Sequence, residues 1–486
     1  MKSKQFFYEE DMRIIDEEQF DAYWRNLSEN REDPSVETTV RDIIAGVRNE
    51  GDRALRRYTE RFDRVSPRQF EVPVEEAAAA WKDMHKKEPE LAAALELAAA
   101  HIRRFADLQR SQMTGFETEM APGLFTGQRV IPVERAAVYV PAGRFPLFSS
   151  VLMGMIPALA AGVDELILAS PPGEDGVPDR RILAALAAAA DPAVTPAAGP
   201  SETPGSGAAW VSGKARNSRL RVFAIGGAQA IAALALGTGT VPKADVIVGP
   251  GNKYVAAAKR MLFGEVGIDF VAGPTDVLVI SDGNGPNTDQ TAGMTVSDQA
   301  ADVAAADMLA QAEHDPDARA RALVPSRRMA EQIAAALETR LARLPEQPAG
   351  TARSSLDSGG LIVVYHSNES AIRIANLIAP EHLELQTENA EAWVPFLKNY
   401  GSLFIGSRAA EVLGDYSAGI NHTLPTSGSA RFSGGLSVRH FLKTVTTLRC
   451  VSGEGFERAR KAAEIMGEAE GLAAHAQSAA ARRGLS

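Results

Sequence analysis

The run AVYVPAG (137–143) decides the fold: a short β-branched stretch halts at a Pro-Ala-Gly turn, and the same shape returns along the chain. It reappears as ELILASPPG (165–173), LRVFAIGG (220–227) and DVIVGPG (245–251), with alanine-rich, helix-prone stretches between. Strands alternating with helices predict a parallel sheet, because parallel neighbours need a crossover rather than a hairpin. TDVLVISD (275–282), GLIVVYHS (360–367) and GSLFIGS (401–407) repeat the rhythm and predict a second α/β unit. No fixed-period repeat is present.

Before the first strand, Pro34 and Ser35 make a helix start. Val36, Val40, Ile43, Ile44 and Val47 then follow the 3.6-residue period of an amphipathic helix. More helix is expected through 91–102. The segment 1–34 is acidic with scattered aromatics (Phe6, Phe7, Tyr8, Phe20, Tyr23, Trp24), a composition suited to a tail or to an arm packing on a partner. The apolar run 147–163 carries two serines and Pro157 and falls short of the ~20 residues a bilayer needs, so it reads as a buried helix. Residues 192–217, rich in Pro, Gly, Ser and Ala, read as an inserted surface loop.

The 486 residues suffice for about three structural units. With 51 Lys and Arg against 62 Asp and Glu, the net charge is −11, which argues against nucleic acid as the main partner. The acidic N-terminus lacks the apolar core of a secretory signal. One cysteine, Cys450, excludes an internal disulfide framework and a thiolate zinc site and fits a reducing cytoplasm. A small soluble substrate and no membrane partner are the resulting expectations.

Chemistry must therefore come from histidines and carboxylates. Gln311 and His314 lie three apart at the end of a helical run and share a helical face, although a surface histidine near a helix end would show the same spacing. Asp415 and His422 occupy the Gly-rich stretch GDYSAGINHTLPTSGSA, which reads equally as a site loop or a solvated turn. Glu381 and His382 are adjacent in APEHLEL: either a carboxylate base beside an imidazole base, or the acidic first turn of a helix. His475 lies in a C-terminal helix, where a lone histidine is usually structural. GPGNKYVAAAKR (249–260) follows a strand and opens a helix able to hold an anion, but it lacks the G-x-G-x-x-G spacing and serves equally as a βα turn.

Taken together and in order, these stretches resemble the histidinol dehydrogenase family. The likeness runs from VRDIIAGVRNEGDRALRRYTERFD (40–63) through YVPAG, GGAQAIAALALGT, VGPGNKYVAAAKR, GEVGIDFVAGPTDVLVISD, QAEHDPDA and APEHLELQ to GDYSAGINHTLPTSGSARFSGGLSV and EAEGLAAHA. The resemblance implies a zinc enzyme that oxidises L-histidinol through the aldehyde to L-histidine with two NAD. By motif, Gln311, His314, Asp415 and His475 would hold zinc, an oxygen and nitrogen set that needs no thiolate. Glu381 and His382 would be the catalytic pair. Thr275, His422 and Glu470 would join His382 and the four metal ligands in binding substrate, and Tyr139, Gln229 and Asn252 would contact NAD.

The family also implies a homodimer of intertwined subunits, each with two incomplete Rossmann-like domains and two arms. The expected division is an arm at 1–35, a first α/β domain from 36–138 and 275–438, a second at 139–274, and a C-terminal helical arm at 439–486. His475 and Glu470 would then serve the neighbouring subunit's site. Some positions depart from the family pattern: Thr275-Asp276 stands where Ser-Glu is usual, and Ala142 replaces a glycine. Arg144-Phe145, with NHTLPT and FLKTVT, is also similar to a subfamily acting on a sulfonated propanediol. Arg144 suits a sulfonate, but a surface or cofactor-phosphate contact explains it better.

Overall fold

The structure, a computed structural model, describes residues 12–28, 34–142, 146–190, 218–284 and 295–484. Arg144 and the 192–217 insertion lie outside the described residues. In chain order the strands are β1 (Ile14–Asp16), β2 (Glu71–Val72), β3 (Phe116–Ala121), β4 (Leu124–Pro132), β5 (Arg135–Tyr139), β6 (Glu165–Ser170), β7 (Arg219–Ala224) and β8 (Val246–Val248). They continue with β9 (Gly267–Ile268), β10 (Asp276–Ser281), β11 (Arg319–Val324), β12 (Leu361–Val364), β13 (His382–Gln386), β14 (Ser402–Ile405) and β15 (Leu442–Cys450).

Two six-stranded sheets carry the fold, as the alternating pattern predicts. One runs β2-β7-β6-β5-β8-β9, parallel except for the short β2. The other runs β1-β12-β11-β10-β13-β14 and is parallel throughout. Their central strands are buried on both faces, which is why they read as continuous apolar runs rather than alternating ones. The apolar run beginning at Leu147 forms the helix Ser149–Ala161, buried along almost its whole length.

Residues 36–138 were expected beside 275–438, but their helices cover the sheet of the other unit. Val36, Val40, Ile43 and Val47 of the helix Pro34–Glu50 pack with Tyr139, Ile167 and Phe223, and β2 joins β7. The apolar stripe was readable, but nothing in a stripe names the sheet it will cover. The described part of the N-terminal segment, residues 12–28, packs on its own subunit: Ile14–Asp16 pairs with the strand Leu361–Val364, and Phe20 is fully buried. A third, antiparallel sheet of order β15-β4-β3 was not foreseen. Its β15 means that the C-terminal region begins with a nine-residue strand before two helices, Glu454–Ala469 and Ala473–Ala480.

Both parallel sheets reverse their strand order at one point. In the first described sheet this lies between β5 and β8, and their carboxyl ends bring Tyr139 close to the turn 249–252. That is the usual seat of a ligand in an open α/β sheet. In the other sheet the reversal lies between β10 and β13, yet the chemistry-bearing residues sit at the amino ends of those strands.

Candidate active site

Glu381 enters the site from a forced turn. The helix Asn368–Ile378 ends at Ala379 in the left-handed region (φ 51°), and Pro380 prevents any continuation, so the chain swings into β13. Glu381-His382 is therefore the start of a strand, not of a helix. Its backbone N–H donates to Asp276 Oδ1 at 2.9 Å, while Asp276 N–H donates to Glu381 Oε2 at 3.1 Å. The hydroxyl of Thr275 lies 2.5 Å from Glu381 Oε2 and 2.7 Å from the Gln311 amide. It has one proton and so donates to one of them at a time. Turned so that both ends are satisfied, the Gln311 amide nitrogen donates to Glu411 Oε1 at 2.5 Å.

His382 is buried alongside. Its Nδ1 lies 3.3 Å from the Asp276 carbonyl oxygen and 3.6 Å from Glu411 Oε1. Its Nε2 has no hydrogen-bond partner among the described residues and lies 3.7 Å from Asp415 Oδ1. A buried ring nitrogen left without a partner costs free energy unless something else meets it. Asp415 is not on a solvated loop as one reading allowed. It sits one turn after Glu411 on the short helix Glu411–Tyr416, and both carboxylates are buried. From Asp415's carbonyl the cluster reaches His422, whose Nδ1 donates across 2.9 Å. His422 Nε2 lies 3.1 Å from Ser150 Oγ at the start of the helix Ser149–Ala161, so both α/β units line the site.

Burial is the dominant electrostatic force here. It pushes the Glu381 carboxyl up to about 7, with the His382 charge opposing. It also raises Glu411, again against His382. For His382 burial alone would favour the neutral ring, but Glu411, Glu381 and Asp415 together raise it well above its ordinary value. Asp415 resists its own burial and stays below the usual carboxylate range because His382, His422 and His314 lie around it.

Gln311 is fully buried at the end of the helix Val296–Ala312, and His314 lies exposed just beyond, so the two share a helix end but not an environment. Glu470, just past the end of the helix Glu454–Ala469, and His475, on the helix Ala473–Ala480, are exposed and take no part in the hydrogen-bonded cluster of the described residues. Sequence reasoning missed Glu411, and Asp276 was noted only as a departure. The Glu411 and Asp415 spacing of i, i+4 on one helical face was the available signal.

At the β5/β8 reversal, Tyr139 is buried with its hydroxyl accepting from Gly227 N at 3.1 Å. Burial pushes that phenol up to about 12. Gln229 is buried and donates to Asp63 Oδ2 at 3.4 Å. Burial pushes Asp63 up to about 6. Asn252 caps the helix Lys253–Leu262, its Oδ1 accepting from Tyr254 N and Val255 N at 3.0 and 3.1 Å. Gly249, at φ 116° with no room for a Cβ against the Tyr139 carbonyl, is held by Asp269 through its N–H and by Lys259 through its carbonyl.

The ligand atoms of His382, Glu411 and Asp415 lie within 4.8 Å of one another, a buried nitrogen and oxygen set of the kind that holds a divalent ion. Asp415 of this cluster, with His314 near it, offers oxygen and nitrogen donors that fit zinc without a thiolate and leave His382 Nε2 free for proton transfer. Two parallel sheets, each with one reversal of strand order, and a buried acid, base and metal-compatible cluster define the class: an α/β enzyme built for proton transfer beside a metal.

The histidinol dehydrogenase family model matches residues 26–202 and 194–483. Histidinol dehydrogenase of Thermus thermophilus is 42% identical over 453 residues, covering 93% of this chain and 95% of its own. That of Nitrosospira multiformis is 41% identical, covering 93% and 92%. The crystal structure of histidinol dehydrogenase from Elizabethkingia anophelis superposes with a TM-score of 0.79 at 32% identity, covering 97% of this chain and 98% of that one. The chain belongs to the histidinol dehydrogenase family, whose enzymes are oxidoreductases that use NAD and zinc.

Proposed function

We propose that this protein oxidises L-histidinol through the aldehyde to L-histidine, the closing steps of histidine biosynthesis, in the cytoplasm. The observation that carries the reading is the buried His382 Nε2, without a hydrogen-bond partner among the described residues and facing Asp415, with Glu381 as its chain neighbour, in a member of this family. No described helix is long and apolar enough to cross a membrane.

Bound NAD supplies the hydride acceptor, and bound zinc holds and polarises the substrate's polar groups. Gln311, His314 and Asp415 would hold the zinc together with His475 of the partner subunit. Holding His382 Nδ1–H on the Asp276 carbonyl leaves Nε2, once it has lost its proton at alkaline pH, as the base that takes the alcohol proton as the first hydride departs to NAD. The resulting imidazolium is stabilised by the surrounding carboxylates. Glu381 then takes a proton from the water that adds to the aldehyde, and the second hydride departs from the hydrate to leave the carboxylate.

Thr275 and His422 would bind substrate beside the metal-side residues Gln311, His314, His382 and Asp415. Glu470 and His475, exposed within their own subunit, would reach the neighbour's site, which makes the working unit a homodimer with a small-molecule substrate and no nucleic-acid partner. Tyr139, Gln229 and Asn252 would contact NAD at the β5/β8 reversal.

Purified protein supplied with zinc should reduce two NAD per L-histidinol at alkaline pH. No NADH with ample zinc overturns the reading. His314→Ala should lose zinc before it loses its fold, so full zinc retention by that variant would show the ligand assignment to be wrong.

A further inference from the structure

Behind Glu381 runs a buried chain of contacts that ends on the N-terminal helix. Asp276 meets Glu381 twice, accepting its backbone N–H and donating its own N–H to the carboxylate. The other oxygen of Asp276, Oδ2, pairs with Arg321 Nη1 at 3.2 Å. Arg321 projects from β11 into the apolar interior with only 2% of its surface exposed. Its guanidinium lies over the ring of Trp24 at 5.3 Å, and Trp24 stacks on the fully buried Phe20 of the same helix, Glu17–Ser28.

A charge buried this deeply is tolerated only when its partners are fixed. The pair here restrains the side chain that orients Glu381 from behind. A planar guanidinium stacked on an aromatic face has little freedom to turn, so the Asp276 carboxylate has little freedom to turn either.

We propose that Arg321, seated on Trp24, is a positioning residue for Glu381, acting through Asp276, and that it thereby serves the water-adding half of the reaction more than the alcohol-oxidising half. The alcohol step relies on His382, which takes only a backbone carbonyl from Asp276. The aldehyde step relies on the aim of the Glu381 carboxylate, and small misplacements of a catalytic group cost large factors in rate. This assigns the N-terminal helix a part in its own subunit's chemistry. The inference rests on the reading of Glu381 as the base for water.

The test compares the two half-reactions, L-histidinol to aldehyde and added aldehyde to acid, in zinc-loaded Arg321→Met, Arg321→Lys and Trp24→Leu. In Arg321→Met the aldehyde half should fall about tenfold more than the alcohol half. Less than two NADH should then form per histidinol, with the missing fraction recovered as aldehyde by a hydrazine trap. Arg321→Lys should restore part of that ratio. Trp24→Leu, which removes a half-buried ring, should shift the ratio in the same direction and carries the test if Arg321→Met does not fold. Equal losses in both halves, or an unchanged ratio in the folded variants, overturn the proposal. Glu381→Gln run beside them reports on the underlying reading, since a Glu381→Gln enzyme that keeps its aldehyde half shows that Glu381 is not the base.

Discussion

Ser150 Oγ stands 3.1 Å from His422 Nε2, so a residue from one α/β unit fixes the ring of a residue from the other. Because His422 Nδ1 donates to the Asp415 carbonyl, Nε2 is left to accept the serine's proton. Ser150→Ala leaves that nitrogen unpaired in a half-buried setting, at a cost of about 1 kcal/mol or somewhat more. If His422 faces substrate, KM for L-histidinol should rise several-fold with a smaller change in kcat. Steady-state kinetics with an unchanged KM would separate His422 from substrate binding.

Asn252 caps the helix Lys253–Leu262, and the proposed NAD contact would give it a second duty that different substitutions pull apart. Asn252→Ala should cost about 1 kcal/mol of stability and weaken NAD binding. Asn252→Ser keeps a cap and should recover the melting temperature while NAD affinity, followed by fluorescence titration, stays low. Recovery of both together would make Asn252 a structural residue alone.

Lys259 and Asp269 form a buried ion pair beneath the turn that carries Asn252, each also gripping Gly249. Removing one partner strands a buried charge, so Lys259→Met should lose about 3–5 kcal/mol. Adding Asp269→Asn should return much of that, because the stranded charge goes with it. Chemical denaturation of the single and double variants measures the difference, and additive losses would contradict the pairing.

How much of this was legible before folding depends on what each residue's environment requires. The seven apolar strand runs, from 137–143 to 401–407, were readable because each strand and its turn signal are local. Which sheet the helix Pro34–Glu50 would cover was not, because an amphipathic stripe states only that a partner exists. The third sheet escaped notice because β3, which runs FETEMA, and β15 are largely exposed and do not read as apolar runs. In the site, Glu381, His382, Thr275, Gln311, Asp415 and His422 came from motif likeness, and they converge in space. Glu411 and Arg321 did not, since each meets a motif residue, Gln311 or Asp276, only through the fold.

Glu381 provides the pH test. Burial lifts it from an ordinary 4.5 to about 7, and only its ionised form accepts a proton from water. The aldehyde half-reaction should therefore rise with pH through about 7, and Glu381→Gln should abolish that rise along with most of the rate. The sign for stability is opposite. A carboxyl whose folded value exceeds its unfolded value contributes fully below the unfolded value and loses that contribution as pH climbs through the folded one. Glu381→Gln should accordingly be more stable than the parent above pH 7, by at most about 3 kcal/mol, with the gap closing below about 4.5. Denaturation at several pH values measures it, and a gap that widens in acid would mean that the carboxylate is stabilised, not strained, by its burial.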